Sequence, residues 1–226
     1  YDFEAGRLDE TEHPFAIGLN PRDVRVTTRF KPDDLLFALS STIHEGGHAL
    51  YEQNIAMELA GTPLAEGASY GIHESQSRFW EIFVGMSRPF WNRYLPELKR
   101  IFHGQLDDVT VDQFYRAINK AEPSLIRIEA DELTYNLHIM IRYEIEKQLI
   151  AGQIEVKDLP QIWNDKYEEY LGIRPSHDGE GVLQDVHWSG GSFGYFPTYS
   201  LGNMYAAQIC AKIKQELPNF TELLER

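Results

Sequence analysis

The eight residues Ile43-His44-Glu45-Gly46-Gly47-His48-Ala49-Leu50 constrain this chain more than any other stretch, because they set two imidazoles four positions apart with a carboxylate directly after the first. On an α-helix, residues i and i+4 share a face, so His44 and His48 can reach one metal ion while Glu45 reaches a water in the ion's open position. Imidazole and carboxylate donors suit zinc, and a catalytic zinc keeps three protein ligands plus a water whose pKa falls to about 7. Water activated in this way can attack an amide. A solvated histidine pair would carry the same string, but Gly46 and Gly47 speak against it. Each glycine costs a helix interior about 1 kcal/mol relative to alanine. Two of them side by side predict that a neighbouring backbone or a substrate lies close against this helix.

The third ligand has to come from another element. The motif helix is predicted to start with Asp33 or Asp34 as N-cap and to run to about Leu59, with Leu35, Leu36, Leu39 and Ile43 as its buried face. A loop of small residues, Gly61 to Gly71, then leads into a second helix over Ile72 to Glu81. Its Glu74 is the expected third ligand and Glu81, two turns on, is the rival. Either acid taken alone could equally be a charge favoured near a helix N-terminus by the helix dipole.

The remainder reads as mostly helical. Val24 to Phe30 carries β-branched residues at period two, which predicts a hairpin or small sheet near the N-terminus. Helices are predicted from Pro89 to Phe102, and from the capping box Thr110-Val111-Asp112-Gln113 to Lys120. Another runs from Glu132 to about Ala151, with Leu133, Leu137, Met140, Ile141, Ile145 and Leu149 inward. Two more follow, from Leu159 to Leu171 with Gly172 ending it, and from about Tyr199 to Leu217 with Tyr205, Ile209 and Ile213 inward. Arg127, set among Leu125, Ile126 and Ile128, would be desolvated unless it met a carboxylate, and an ion pair with Glu129 or Asp131 is the reading from the residues alone. Gly179 to Pro197 is a loop by composition yet dense in His, Trp, Tyr and Asp, as pocket-lining loops often are.

Charge narrows the partners. A formal net charge of −14 over 226 residues argues against nucleic acid and against an anionic membrane surface. No apolar run is long enough to span a bilayer. The single cysteine, Cys210, cannot form an internal disulfide, which fits a reducing cytoplasm. No repeat or linker divides the chain, so one domain is expected.

Six strings in order then point to one family: His13-Pro14-Phe15; Asp23-Val24-Arg25-Val26-Thr27; His44-Glu45-Gly46-Gly47-His48; His73-Glu74-Ser75-Gln76; Ile126-Arg127-Ile128-Glu129-Ala130-Asp131; and Gly181-Val182-Leu183-Gln184-Asp185-Val186-His187-Trp188. Through them the chain resembles the carboxypeptidase Taq family of metallocarboxypeptidases. The resemblance implies a mainly α, zincin-like helical peptidase fold similar to angiotensin-converting enzyme and neurolysin. It implies that residues 1–226 are a single catalytic region from a longer chain, lacking N-terminal helices that close over a cleft and a short C-terminal piece. It further implies that His44, His48 and Glu74 bind Zn²⁺, with Co²⁺ or Mn²⁺ as alternatives, and that Glu45 is the general base. Arg127 would take the terminal carboxylate of a peptide substrate, and His187, Tyr195 and Tyr199 would be donors near the oxyanion or the substrate backbone. A homodimer is implied as well. Two rivals remain: an oligopeptidase on the same scaffold, and a noncatalytic zinc-stabilised binding module, for which a fourth ligand such as His73 would close the site.

Overall fold

A computed structural model describes residues 1–225. Its first strands form because Val24 and Val26 alternate with Arg25 and Thr27, sending the valines to one face. Strand β3 (Asp23–Thr28) lies between β1 (Gly6–Glu10) and β2 (Ala16–Asn20), parallel to the first and antiparallel to the second. The expected hairpin or small sheet is thus a three-stranded sheet, and its alternation stops at Thr28, two residues earlier than the sequence pattern. Val24 and Val26 pack on Ala49 of the long helix α1 (Leu35–Gln53), so the sheet backs the helix that bears the histidines.

Helix α1 begins where Asp34 accepts a hydrogen bond from the Phe37 backbone N–H, which selects Asp34 over Asp33 as the cap. It ends at Gln53 rather than near Leu59. The Asn54 side chain donates to the Leu50 carbonyl at 2.7 Å and closes the last turn, and a separate 3₁₀ turn follows over Met57–Leu59. Leu35 and Leu39 pack against the cluster of Trp91, Leu95 and Leu98, while Leu36 and Ile43 are half-buried.

Helix α2 (Tyr70–Arg78), capped by Ser69, runs straight into a π-helical stretch over Phe79–Gly85. Helix α3 (Arg88–Ile101) and the short α4 (Val111–Ile118) follow, the latter with the expected capping box of Thr110 and Gln113. Helix α5 (Tyr135–Ile150) starts three residues later than predicted, because Asp131 accepts from the backbone N–H groups of Leu133 and Thr134 and holds that segment as a turn. Helix α6 (Leu159–Leu171) ends at Gly172, whose φ of 69° is left-handed. The last elements are α7 (Pro197–Glu216) and α8 (Phe220–Leu224).

The chain divides into two compact units, one of residues 1–119 with 201–225 and one of residues 120–200. In the first, Phe79, Val84, Ala206 and Cys210 form a core on which Ile209 and Ile213 of α7 pack, with Tyr205 half-buried nearby; Cys210 is buried and unbridged. In the second, Ile141, Ile145, Leu159, Trp163, Tyr167 and Leu171 form the core between α5 and α6, with Leu137 and Leu149 packed on it. Two residues predicted inward on α5 are not: Leu133 is 72% exposed and Met140 45%. Leu133 falls in the turn before α5, and the buried stripe of the helix runs through His138, Arg142 and Glu146 as well as Ile141 and Ile145, so a reading that follows only apolar residues places Met140 too far inward.

Candidate metal centre and carboxylate-binding site

In the first unit, one turn of α1 presents His44 and His48 on one face, and the reason α2 can approach that face is Gly47. A Cβ there would lie 2.6 Å from Ser77 Cα and 2.8 Å from the Gln76 carbonyl oxygen. The two helix backbones therefore touch at this glycine, helped by the fully buried small residues Ser75 and Ser77. Gly46 is different: apart from its chain neighbours and the backbone of its own helix, no described atom lies within 4 Å of where its Cβ would be. A neighbouring backbone comes close at Gly47, and no other described segment of the chain does so at Gly46.

That crossing aims Glu74 at the histidines. His44 Nε2 stands 3.9 Å from Glu74 Oε1 and His48 Nε2 stands 3.6 Å from Glu74 Oε2, and one donor atom from each of the three lies within 4.8 Å of the others. Two donors about 2.0–2.1 Å from a tetrahedral zinc stand about 3.4 Å apart, so the spacing suits a shared ion. The donor set fits too, two neutral imidazole nitrogens and a carboxylate being a zinc ligand set. A third element closes in from behind: a Cβ on Gly202 of α7 would meet Glu74 Cγ at 2.6 Å.

Glu81 lies outside this group of three. Its Oε2 accepts from His44 Nδ1 at 2.8 Å and from Arg78 Nη1 at 2.7 Å, and Arg78 Nε in turn donates to Asn203 Oδ1 at 2.7 Å. Glu81 thus sits behind His44, on the ring nitrogen away from Glu74. His73 is turned to other partners as well. Its Nδ1 faces His48 Nδ1 at 2.7 Å and its Nε2 faces Glu52 Oε1 at 2.6 Å, so both ring nitrogens are engaged.

The electrostatics ask for a cation. Burial works against a charge on His44, but Glu74, Glu81 and Glu45 outweigh it and push the imidazole up to about 9. Burial likewise opposes the charge on Glu74, yet His44, His48 and Arg78 hold its carboxyl down to about 2. Burial lowers His48. Glu45 is buried too, and desolvation, with Glu74 and Glu81, pushes it up to about 7 although His44 opposes this, in the range where a carboxylate can both take and return a proton.

The second unit gathers the other predicted residues. Arg127 opens a 3₁₀ turn over Arg127–Glu129 and is buried. Its partner is neither Glu129 nor Asp131 but Asp185, 58 residues away: Nε and Nη2 donate to Asp185 Oδ1 at 3.0 and 2.7 Å. Asp131 is occupied by the turn that precedes α5. Arg127 Nη1 donates to the Tyr135 hydroxyl at 3.1 Å, and the guanidinium lies over the Tyr199 ring at 4.7 Å. Three of its five N–H groups are used in this way. Asp185 serves two cations, since Arg142 Nε donates to its other oxygen at 2.6 Å, and the two guanidiniums hold its carboxyl below the usual range although burial opposes this. His187 Nε2 lies 2.9 Å from the Tyr199 hydroxyl, and the Tyr195 ring is 5.4 Å from both His187 and Tyr199. Arg127, His187, Tyr195 and Tyr199 are therefore one cluster, whereas Asp185, Arg142 and Tyr135, which hold it together, were not singled out from the sequence.

The family profile described as Carboxypeptidase Taq (M32) metallopeptidase matches residues 1–226. "Carboxypeptidase 1" of Bacillus subtilis (strain 168) is 58% identical over 226 residues, which is 100% of this chain and 45% of that protein. "Thermostable carboxypeptidase 1" of Thermus thermophilus is 53% identical over 217 residues, 96% of this chain and 42% of that one. The crystal structure of the M32 carboxypeptidase from Deinococcus radiodurans R1 superimposes with a TM-score of 0.96 at 48% identity, covering 100% of this chain and 46% of that one. The chain spans a little under half the length of these relatives. With the profile matched from end to end, and the mainly helical fold with its small sheet shared, the chain belongs to the carboxypeptidase Taq (M32) metallopeptidase family.

Proposed function

We propose that this chain is the metal-binding catalytic portion of a carboxypeptidase that releases the C-terminal residue of peptides. The observation that carries the reading is the convergence of His44, His48 and Glu74 beside the buried Glu45. These three residues would hold a divalent cation, zinc by its donor preference, with cobalt or manganese able to occupy the same donors. When bound, the ion supplies Lewis acidity that polarises the scissile carbonyl and makes a water acidic enough to lose a proton near neutral pH.

The rest falls to the chain's own side chains. The Glu45 carboxylate takes the proton of the attacking water and passes it to the leaving amine. Arg127 is pre-oriented by Asp185, Tyr135 and Tyr199, and it binds the substrate's terminal carboxylate with N–H groups those partners leave over. His187, Tyr195 and Tyr199 offer N–H and O–H donors to the substrate backbone or to charge developing on its carbonyl oxygen. The family resemblance adds a homodimer and a longer parent chain to this reading. Among the described residues no helix is long and apolar enough to cross a membrane.

The test is release of single amino acids from a peptide with a free C-terminus by the zinc-loaded protein, together with the Glu45→Gln variant. That variant should keep its zinc and lose about 10²–10⁴-fold in kcat. Turnover within a few-fold of the parent, or products cut only at internal bonds, would reject the reading.

A further inference from the structure

His44 and His48 are held from behind in different ways. His44 Nδ1 meets a carboxylate directly, on Glu81. His48 Nδ1 meets another imidazole, that of His73, and the carboxylate lies one step further back on Glu52. The order of donors along this path follows from valence. A carboxylate accepts only, so His73 Nε2 carries the proton of the 2.6 Å contact with Glu52. In the neutral form of the ring there is one N–H, and with that proton directed at Glu52 the His73 Nδ1 is an acceptor. The facing nitrogen across the 2.7 Å contact, His48 Nδ1, must then be the donor. That leaves His48 Nε2 with a bare lone pair, and this is the nitrogen 3.6 Å from Glu74 Oε2.

The surrounding backbone is shaped for the path. Glu52 follows His48 by one turn of α1, and a Cβ on Gly18 of β2 would lie 2.9 Å from Glu52 Oε2. A Cβ on Gly67, in the loop before α2, would lie 2.7 Å from His73 Cδ2. Tyr51 stands edge-on to His73 with ring centroids 5.1 Å apart. A glycine from the sheet and a glycine from the loop each leave a recess for one member, which a pair of merely solvated polar groups would not need.

We propose that Glu52 and His73 are positioning residues that fix His48 as its Nδ1–H tautomer, so that its Nε2 lone pair is always presented to the ion. This rests on His44, His48 and Glu74 being the metal ligands. The other arrangement, with the proton on His48 Nε2, would block the ligand atom. A neutral imidazole free of the relay would sample both tautomers, and each binding event would then need a proton to move first.

The experiment compares zinc affinity, by competition with a chromophoric chelator, with nitrogen-15 spectra of the histidine rings in the zinc-free protein. The parent should show His48 protonated at Nδ1. Glu52→Gln, whose amide can donate as well as accept, and His73→Leu should both mix the His48 tautomers and weaken zinc binding about 10–100-fold. His73→Gln keeps a carbonyl oxygen able to accept from His48 Nδ1–H and should recover most of the loss. Far-UV circular dichroism establishes that each variant is folded, and Gly67→Ala perturbs His73 without replacing it and should weaken zinc binding in the same direction. A parent with His48 protonated at Nε2 overturns the proposal. So does unchanged affinity in Glu52→Gln and His73→Leu, or failure of His73→Gln to recover, which would mark His73 as packing only. His48→Ala separates the two levels. If it leaves zinc affinity unchanged, the metal site falls and the relay with it; if it abolishes binding while Glu52→Gln does not weaken it, the relay alone is lost.

Discussion

Gly46 and Gly47 are adjacent on one helix, and the structure predicts different outcomes for replacing them with alanine. Each substitution gains about 1 kcal/mol of helix propensity, so the difference between the variants isolates what the new methyl groups meet. At Gly46 the methyl meets nothing within 4 Å beyond its chain neighbours and the backbone of its own helix among the described residues, and Gly46→Ala should raise stability by about that amount. At Gly47 the methyl would sit 2.6 Å from Ser77 Cα, about 0.8 Å closer than the 3.4 Å at which ordinary contact begins, and the obstacle is backbone on both sides. Overpacking of this kind costs about 1–3 kcal/mol, so Gly47→Ala should be less stable than Gly46→Ala by that margin. The consequence for function is larger. Relief requires α2 to move off α1 by several tenths of an ångström, and Glu74 moves with it, whereas a metal site tolerates about 0.2 Å. Urea denaturation of the two variants measures the stability gap, and chelator competition measures zinc. Equal stability together with equal zinc affinity would refute the claim that the helix crossing at Gly47 sets the ligand geometry.

Two further outcomes test the site. Arg127→Met should lower kcat/KM on peptides with a free C-terminus at least about tenfold to a hundredfold and narrow their advantage over C-terminally amidated peptides; if the parent cleaves both kinds equally, Arg127 is no carboxylate clamp and an oligopeptidase becomes the better reading. Zinc uptake should release about one proton at pH 7, because His44, pushed up to about 9 in the metal-free site, must lose its proton before Nε2 can bind; affinity should therefore rise up to tenfold per pH unit and level off near pH 9. Calorimetry in buffers of different ionisation enthalpy counts that proton, and a count near zero would contradict the charge assigned to His44.

Several features of this protein were legible because their physics is local. The four-residue spacing of His44 and His48 on a helix follows from 3.6 residues per turn, and the caps at Asp34, at Thr110 with Gln113, and at Gly172 each concern atoms within a turn or so of one another. The family motifs were legible for the same reason: each is a short contiguous string. Other readings slipped where a side chain competed with the local pattern. The Asn54 amide ended α1 early, Asp131 delayed α5 and left Leu133 outside it, and the buried stripe of α5 includes the polar His138, Arg142 and Glu146, which an apolar pattern passes over.

Tertiary structure supplied the reason that Glu74, the acid favoured from the sequence, faces the histidines, and it alone decided which carboxylate holds Arg127. Glu74 and Glu81 lie on one continuous helical segment and look alike as sequence; the backbone contact at Gly47 and the clearance at Gly202 aim the first at Nε2 of both imidazoles, while Arg78 and Asn203, 125 residues apart, hold the second behind His44. Arg127 passes over the nearby Glu129 and Asp131 for Asp185, because folding brings a distant loop to it while the local acid is already spent on a turn. Helical periodicity fixes which residues share a face, but what that face meets depends on contacts between segments far apart in the chain, and those are set only when the core has packed.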